Sequence, residues 1–311
     1  MRGFVALTAA AVVACTALVG EGTTAAAASP PHVMLIVEEN RDYPSVIGSG
    51  DAPYISGLAN RYGLATASYG QARPSLPNYL TLLSGSTHGV TDDGTGYTFT
   101  GPTLADQLAQ RNIPWRAYME SMPSACYGGA SSGEYAKKHD PFMYFSSITG
   151  NPAQCRNVVP LGSLSADLAG TAAPDFVWVT PNLCNDGHDC STATADSWLA
   201  SALPPVLSSD WFKQNGIVIL TWDEGTVSTG CCNGAYGGHI ATIVIAGASQ
   251  QHATMAAAVD HAGTLRTIED LYGLAPLGDA ACACSGTLAS LLPAPAAAPP
   301  ALTWLTVPHR R

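Results

Sequence analysis

Gly216-Ile217-Val218-Ile219-Leu220-Thr221, running into Trp222-Asp223-Glu224, is the stretch on which the fold turns. It is too short and too rich in β-branched residues for a helix, and its apolar character is continuous rather than alternating. A strand reads this way when both faces are buried, as in a mostly parallel sheet covered by helices. Working outward, residues 32–37 before Glu38-Glu39-Asn40, residues 176–180 before Pro181-Asn182, and residues 240–246 are of the same type. Between them, helical spacing of apolar residues recurs at 76–83, 103–110, 195–203 and 263–272. This alternation predicts a layered α/β domain with its site at the carboxyl ends of the strands.

The residues at those ends carry the chemistry. Glu38-Glu39-Asn40 follows the first run, Asp186, His188 and Asp189 come soon after the second, and Asp223-Glu224 follows the third. Any one such pair is ordinary, because Asp and Asn favour turns and helix caps. Three sets converging on one edge repel one another, and a divalent cation is the simplest reason to tolerate them. In Arg73-Pro74-Ser75-Leu76-Pro77-Asn78-Tyr79, Ser75 precedes an apolar helical stretch. Its oxygen then lies at a helix N-terminus, which favours phosphate or an alkoxide. An N-cap serine has the same position, so position alone does not identify a nucleophile. The motif is not the Gly-x-Ser-x-Gly elbow of the α/β-hydrolases.

The chain has 47% hydrophobic and 12% charged residues, which suits a folded globule rather than a disordered chain. A formal net charge of -10 provides no basic footprint for a nucleic acid. Residues 1–28 read as a secretory signal, with Met1-Arg2, an apolar stretch and Ala26-Ala27-Ala28 before the expected cleavage. Residues 29–292 are then the working domain and 293–311 a Pro/Ala-rich extended tail. No later run reaches the roughly 20 apolar residues of a membrane span, so a secreted, extracellular protein is expected, with its oligomeric state open. Apart from Cys15, eight cysteines remain. An even number in an exported chain argues for disulfides, with Cys126–Cys155 and Cys184–Cys190 the locally plausible pairs. No pair is spaced Cys-x-x-Cys, which disfavours a zinc cluster.

Together, Ile36-Val37-Glu38-Glu39-Asn40-Arg41, Pro74-Ser75-Leu76-Pro77-Asn78-Tyr79, Asp186-Gly187-His188-Asp189 and Thr221-Trp222-Asp223-Glu224 resemble the phosphoesterase family of bacterial acid phosphatases and phospholipases C, within the alkaline phosphatase superfamily. The resemblance runs from about residue 32 to 274 and implies a three-layer α/β/α domain of alkaline-phosphatase type with a mostly parallel central sheet. It makes Ser75 the nucleophile and a metal ligand, with Glu39, Asn40, Asp223 and Glu224 as further ligands. Asp186 and Asp189 are candidate ligands too, His261 is the preferred late histidine ligand with His239 competing for that place, and His188 and His261 are also candidates for activating the water. Asn78, Lys138 and His139 are expected to meet substrate. Where many members have His before Pro-Ser, this chain has Arg73, so no acid/base role is expected there. The cofactor implied is a divalent metal ion, with Ca, Mg, Mn, Zn and Fe all open on ligand type. Hydrolysis of phosphate monoesters through a phosphoserine is the expected activity, including phosphoinositides such as phosphatidylinositol 3-phosphate. Phospholipase C action on diesters and a non-catalytic binding protein on the same fold are the alternatives.

Overall fold

Seven residues, His32–Glu38, form strand β1, and its alternate side chains leave the sheet in opposite directions. In this computed structural model, which describes residues 30–247 and 252–293, Val33, Leu35 and Val37 join one core with Leu76, Leu80, Leu104 and Leu265. Met34 and Ile36 join a second core with Ile55, Leu199, Leu203 and Trp211. A strand buried on both faces has no use for polar alternation, and this accounts for the continuous apolar run. Each such side chain contributes about 1.5–3 kcal/mol by leaving water.

The remaining strands are β2 (Gly63–Tyr69), β3 (Trp115–Met119), β4 (Ser131–Ser132), β5 (Tyr135–Ala136), β6 (Val158–Pro160), β7 (Phe176–Thr180), β8 (Gly216–Trp222), β9 (His239–Ala246), β10 (Ala253–Met255) and β11 (Val259–Asp260). The main sheet runs β10-β2-β9-β8-β1-β7-β3-β6, with β11 also on β2, while β4 and β5 form a separate hairpin. β1 lies parallel to both β7 and β8. Among the described strands of the main sheet only β9 runs against its neighbours, antiparallel to β2 and β8. The sheet is therefore mostly parallel, as expected. Helices Ser75–Ser84, Leu104–Gln110 and His261–Tyr272 supply the first core, and Pro53–Arg61, Thr192–Ser208 and Asp210–Asn215 the second. Three layers result.

Two features depart from the sequence reading. The 240–246 run is buried on both faces but antiparallel, because burial alone fixes its apolar character and not its direction. β2, Gly-Leu-Ala-Thr-Ala-Ser-Tyr, was not anticipated, since it lacks a continuous apolar run. All eight cysteines among the described residues are paired: Cys126–Cys155 and Cys184–Cys190 as expected, with Cys231–Cys232 and Cys282–Cys284. The 1–28 leader and residues 294–311 of the tail lie outside the described residues. No described helix is long and apolar enough to cross a membrane.

Candidate active site

Because β7 and β8 flank β1 in parallel register, their carboxyl ends emerge side by side. The backbone knits these ends together: Glu39 N–H donates to the Asp186 carbonyl at 2.9 Å, and Asp223 N–H to the Glu38 carbonyl at 2.8 Å. Asn40 has φ of 52°, in the left-handed region that Asn tolerates better than most residues. Its N–H donates to Asp223 Oδ1 at 2.9 Å, and its side-chain amide to Glu39 Oε2 at 3.0 Å. Gly70 closes the same edge from β2, where a Cβ would lie 2.7 Å from the Asp223 carbonyl oxygen.

Ser75 is the first residue of the Ser75–Ser84 helix, which has no side-chain cap from Pro74. Its hydroxyl donates to Glu39 Oε2 at 3.0 Å, and the Tyr79 hydroxyl, one turn on, donates to Glu39 Oε1 at 2.7 Å. His139 lies beside them, with Nε2 3.1 Å from Glu39 Oε1 and Nδ1 3.2 Å from Asp186 Oδ2. His188 Nδ1 is 2.6 Å from Asp189 Oδ1, while its Nε2 is 2.9 Å from Lys138 Nζ. Lys138 also donates to Asp93 Oδ2 at 3.0 Å.

Burial sets the electrostatics. Glu39 is raised well above the ordinary Glu range by burial first and then by Asp223 and Asp186. Burial likewise raises Asp223, brings Asp186 to about 7, and brings Glu224, also beside Asp223, to about 8. Burial, then Lys138, lowers His139 to about 3, so its close contacts with two carboxyls are those of a neutral imidazole. His139 Nε2, Asp186 Oδ2, Asp223 Oδ2 and Glu224 Oε2 are buried without a hydrogen-bond partner. Buried polar atoms are rarely left so, and crowded carboxylates next to a neutral imidazole lone pair are the donor set of a divalent cation. Glu39, His139 and His188 place ligand atoms within 4.8 Å of one another. The residues fit a metal ion.

The expected residues do not all converge. Glu39, Asn40, Ser75, Asp186, His188, Asp223, Lys138 and His139 meet as described, with Glu224 following Asp223 directly. His139, expected on the substrate, is buried among the carboxylates instead. Asp189, expected as a ligand, has a side chain 60% exposed and pairs with His188 Nδ1, which turns Nε2 inward. Asn78 braces the approach to Ser75, bonding the Ala72 N–H and the Ala72 and Pro74 carbonyls, so its amide is already taken up by backbone. His261 is also occupied: Nδ1 faces the Gln71 N–H and Nε2 the Trp222 carbonyl. His239 is sandwiched between Tyr43 and Tyr69, with Nε2 on the Thr66 carbonyl. Neither late histidine joins the cluster. Asp93 and Tyr79 also belong to the site; Tyr79 is legible in the sequence one helical turn from Ser75, whereas nothing marks Asp93 within Thr91-Asp92-Asp93-Gly94.

The phosphoesterase family's profile matches residues 48–275, so β1 and Glu38–Asn40 precede the matched span. A phosphatidylinositol-3-phosphatase of Mycobacterium tuberculosis is 31% identical over 249 residues, covering 79% of this chain and 78% of that protein. A phosphate-repressible acid phosphatase of Penicillium chrysogenum is 29% identical over 221 residues, 69% of this chain. The chain spans about half the length of that fungal protein, 51%. Among solved structures, a protein in the alkaline phosphatase superfamily from Vibrio parahaemolyticus superposes with a TM-score of 0.54 at 12% identity, over 81% of this chain and 70% of that one. At that identity the likeness concerns the fold alone.

Proposed function

Since the chain belongs to the phosphoesterase family, we propose that it is a phosphatase hydrolysing phosphate monoesters through a phosphoserine at Ser75. The observation that carries this reading is the placement of Ser75 Oγ at a helix N-terminus, hydrogen-bonded to Glu39 within a crowd of buried carboxylates and 2.9–3.0 Å contacts around Lys138. Phosphoinositides are a substrate class suggested by the mycobacterial relative's name. An extracellular location follows from the signal-like 1–28 stretch.

Glu39, His139, Asp223 and Asn40 would hold the divalent cation, with Asp186 beside the His139 ring. When bound, such a cation lowers the cost of an ionised serine and offsets charge on phosphoryl oxygens. The protein's own groups do the rest. The hydroxyl proton of Ser75 lies on the hydrogen bond to Glu39, and the helix N-terminus favours the oxygen's negative charge. Attack by Oγ on phosphorus forms the Ser75 ester as the bond to the leaving alcohol breaks. Lys138 faces the charge on the phosphoryl oxygens. The Ser75 proton passes to Glu39 in the first step and returns to Oγ in the second; to His188 we assign, rather than a place among the cation's ligands, donation of a proton to the leaving alkoxide and then removal of one from the attacking water. Its side chain is 26% exposed against 3% for His139, so it can meet substrate and solvent, and Asp189 fixes its ring.

Acid quenching during turnover of a monoester, followed by peptide mass spectrometry, tests the reading. A phosphoryl group on the Ser75 peptide is expected. A labelled peptide elsewhere, or a phospholipid diester cleaved at a rate comparable with the monoester, would replace the phosphomonoesterase reading.

A further inference from the structure

Asp93 occupies an unusual place for a residue of a loop. Its Oδ1 accepts the Leu76 N–H at 3.0 Å, and its Oδ2 accepts Lys138 Nζ at 3.0 Å. Leu76 follows the nucleophile, and its N–H belongs to the open end of a ten-residue helix whose N-cap, Pro74, contributes no side-chain bond. Lys138 is also the ammonium 2.9 Å from His188. One is a helix N-terminal amide and the other a cation, the two kinds of donor that bind phosphoryl oxygens. A carboxylate already sits on both. The neighbouring carboxylate does not: Asp92 turns to the Gly94 N–H and the Tyr97 hydroxyl of its own loop.

We propose that Asp93 is a resident anion that holds the phosphoryl-binding donors of the resting enzyme and must leave them before substrate binds. Resting on the Ser75 reading, this makes Asp93 a positioning residue that sets affinity rather than one that touches the reacting atoms. Two anions cannot share Leu76 N–H and Lys138 Nζ without strong repulsion. Asp93 has somewhere to go, since its side chain is 29% exposed. The loop itself stays anchored, because Lys137 Nζ donates to the Thr95 carbonyl at 2.9 Å. Phosphoryl binding then replaces one anion by another, and only the difference between them appears as affinity.

The test is calorimetric titration of inorganic phosphate into Ser75→Ala and into Ser75→Ala/Asp93→Asn, which measures binding without turnover. Asn keeps an oxygen for the Leu76 N–H and removes the competing charge. Phosphate should bind the double variant about tenfold more tightly, a difference of about 1.4 kcal/mol, and Lys138→Ala should abolish the binding. In the Ser75-containing enzyme, Asp93→Asn should lower KM for a monoester. A merely structural cap predicts the opposite, a loosened helix end and weaker binding, so unchanged or weaker phosphate affinity overturns the proposal, as does no detectable binding to either protein. Turnover surviving in Ser75→Ala would instead sink the nucleophile assignment, leaving the comparison of phosphate affinities to be read on its own.

Discussion

Ser75→Ala removes the hydroxyl that donates to Glu39 Oε2 from the first residue of its helix, and its expected cost is on the order of 10⁶-fold in kcat, as for covalent nucleophiles in other serine enzymes. Steady-state kinetics on the folded variant checks this, and a rate near wild type contradicts it. The histidines give a sharper contrast. His139→Ala should lower both bound divalent metal and activity, because Nε2 lies 3.1 Å from Glu39 within the unsatisfied carboxyl cluster. His261→Gln should leave metal content unchanged while lowering thermal stability, because its ring spans the Gln71 N–H and the Trp222 carbonyl. Elemental analysis beside thermal melts separates the two, and equal metal loss in both variants would restore His261 to the site. The sequence could not make this distinction: a histidine at a helix start looks the same whether its nitrogens face a metal or backbone.

At the scale of elements, the loop after β7 carries Asp186, His188 and Asp189 between the bridged Cys184 and Cys190. Closing so short a loop stabilises the fold by about 2 kcal/mol in the chain-entropy account. Replacing both cysteines by serine should therefore lower stability by about that amount and weaken metal binding as well. Calorimetric metal titration that finds wild-type affinity would detach this bridge from the site. The His261–Tyr272 helix offers a pH signature away from the site. Glu269 on it is buried, with Oε2 unpartnered and Oε1 on the Leu277 N–H, and burial pushes its pKa up to about 8. Between the ordinary Glu value near 4.3 and about 8, the folded chain holds a proton that the unfolded chain has released. Its contribution to stability is present at low pH and is lost as pH rises through that window. Glu269→Gln cannot ionise, so its unfolding free energy, measured by denaturant titration from pH 5 to 8, should fall less steeply with pH than wild type. An identical slope would mean that Glu269 titrates normally.

Across the whole molecule, the sheet's centre was the legible part. β1, β7 and β8 announce themselves because burial on both faces leaves no room for polar residues, and each of them ends in acid or amide residues at the same edge. β2 was not legible, with Thr66 and Ser68 within it, and neither was the reversed direction of β9, since a sequence records burial but not strand polarity. In the site, the carboxylates followed from charge, whereas the movement of His139 to the carboxylates and the seat of Asp93 depend on loops that fold back from elsewhere in the chain. On the proposed reading, these converging carboxylates hold a divalent cation on which Ser75 depends. Metal content and monoesterase rate measured together, on protein exhaustively chelated and then given back metal, decide it. Near-stoichiometric metal is expected in the active protein, with loss of activity in step with metal removal and recovery on its return. Full activity in demonstrably metal-free protein would contradict it.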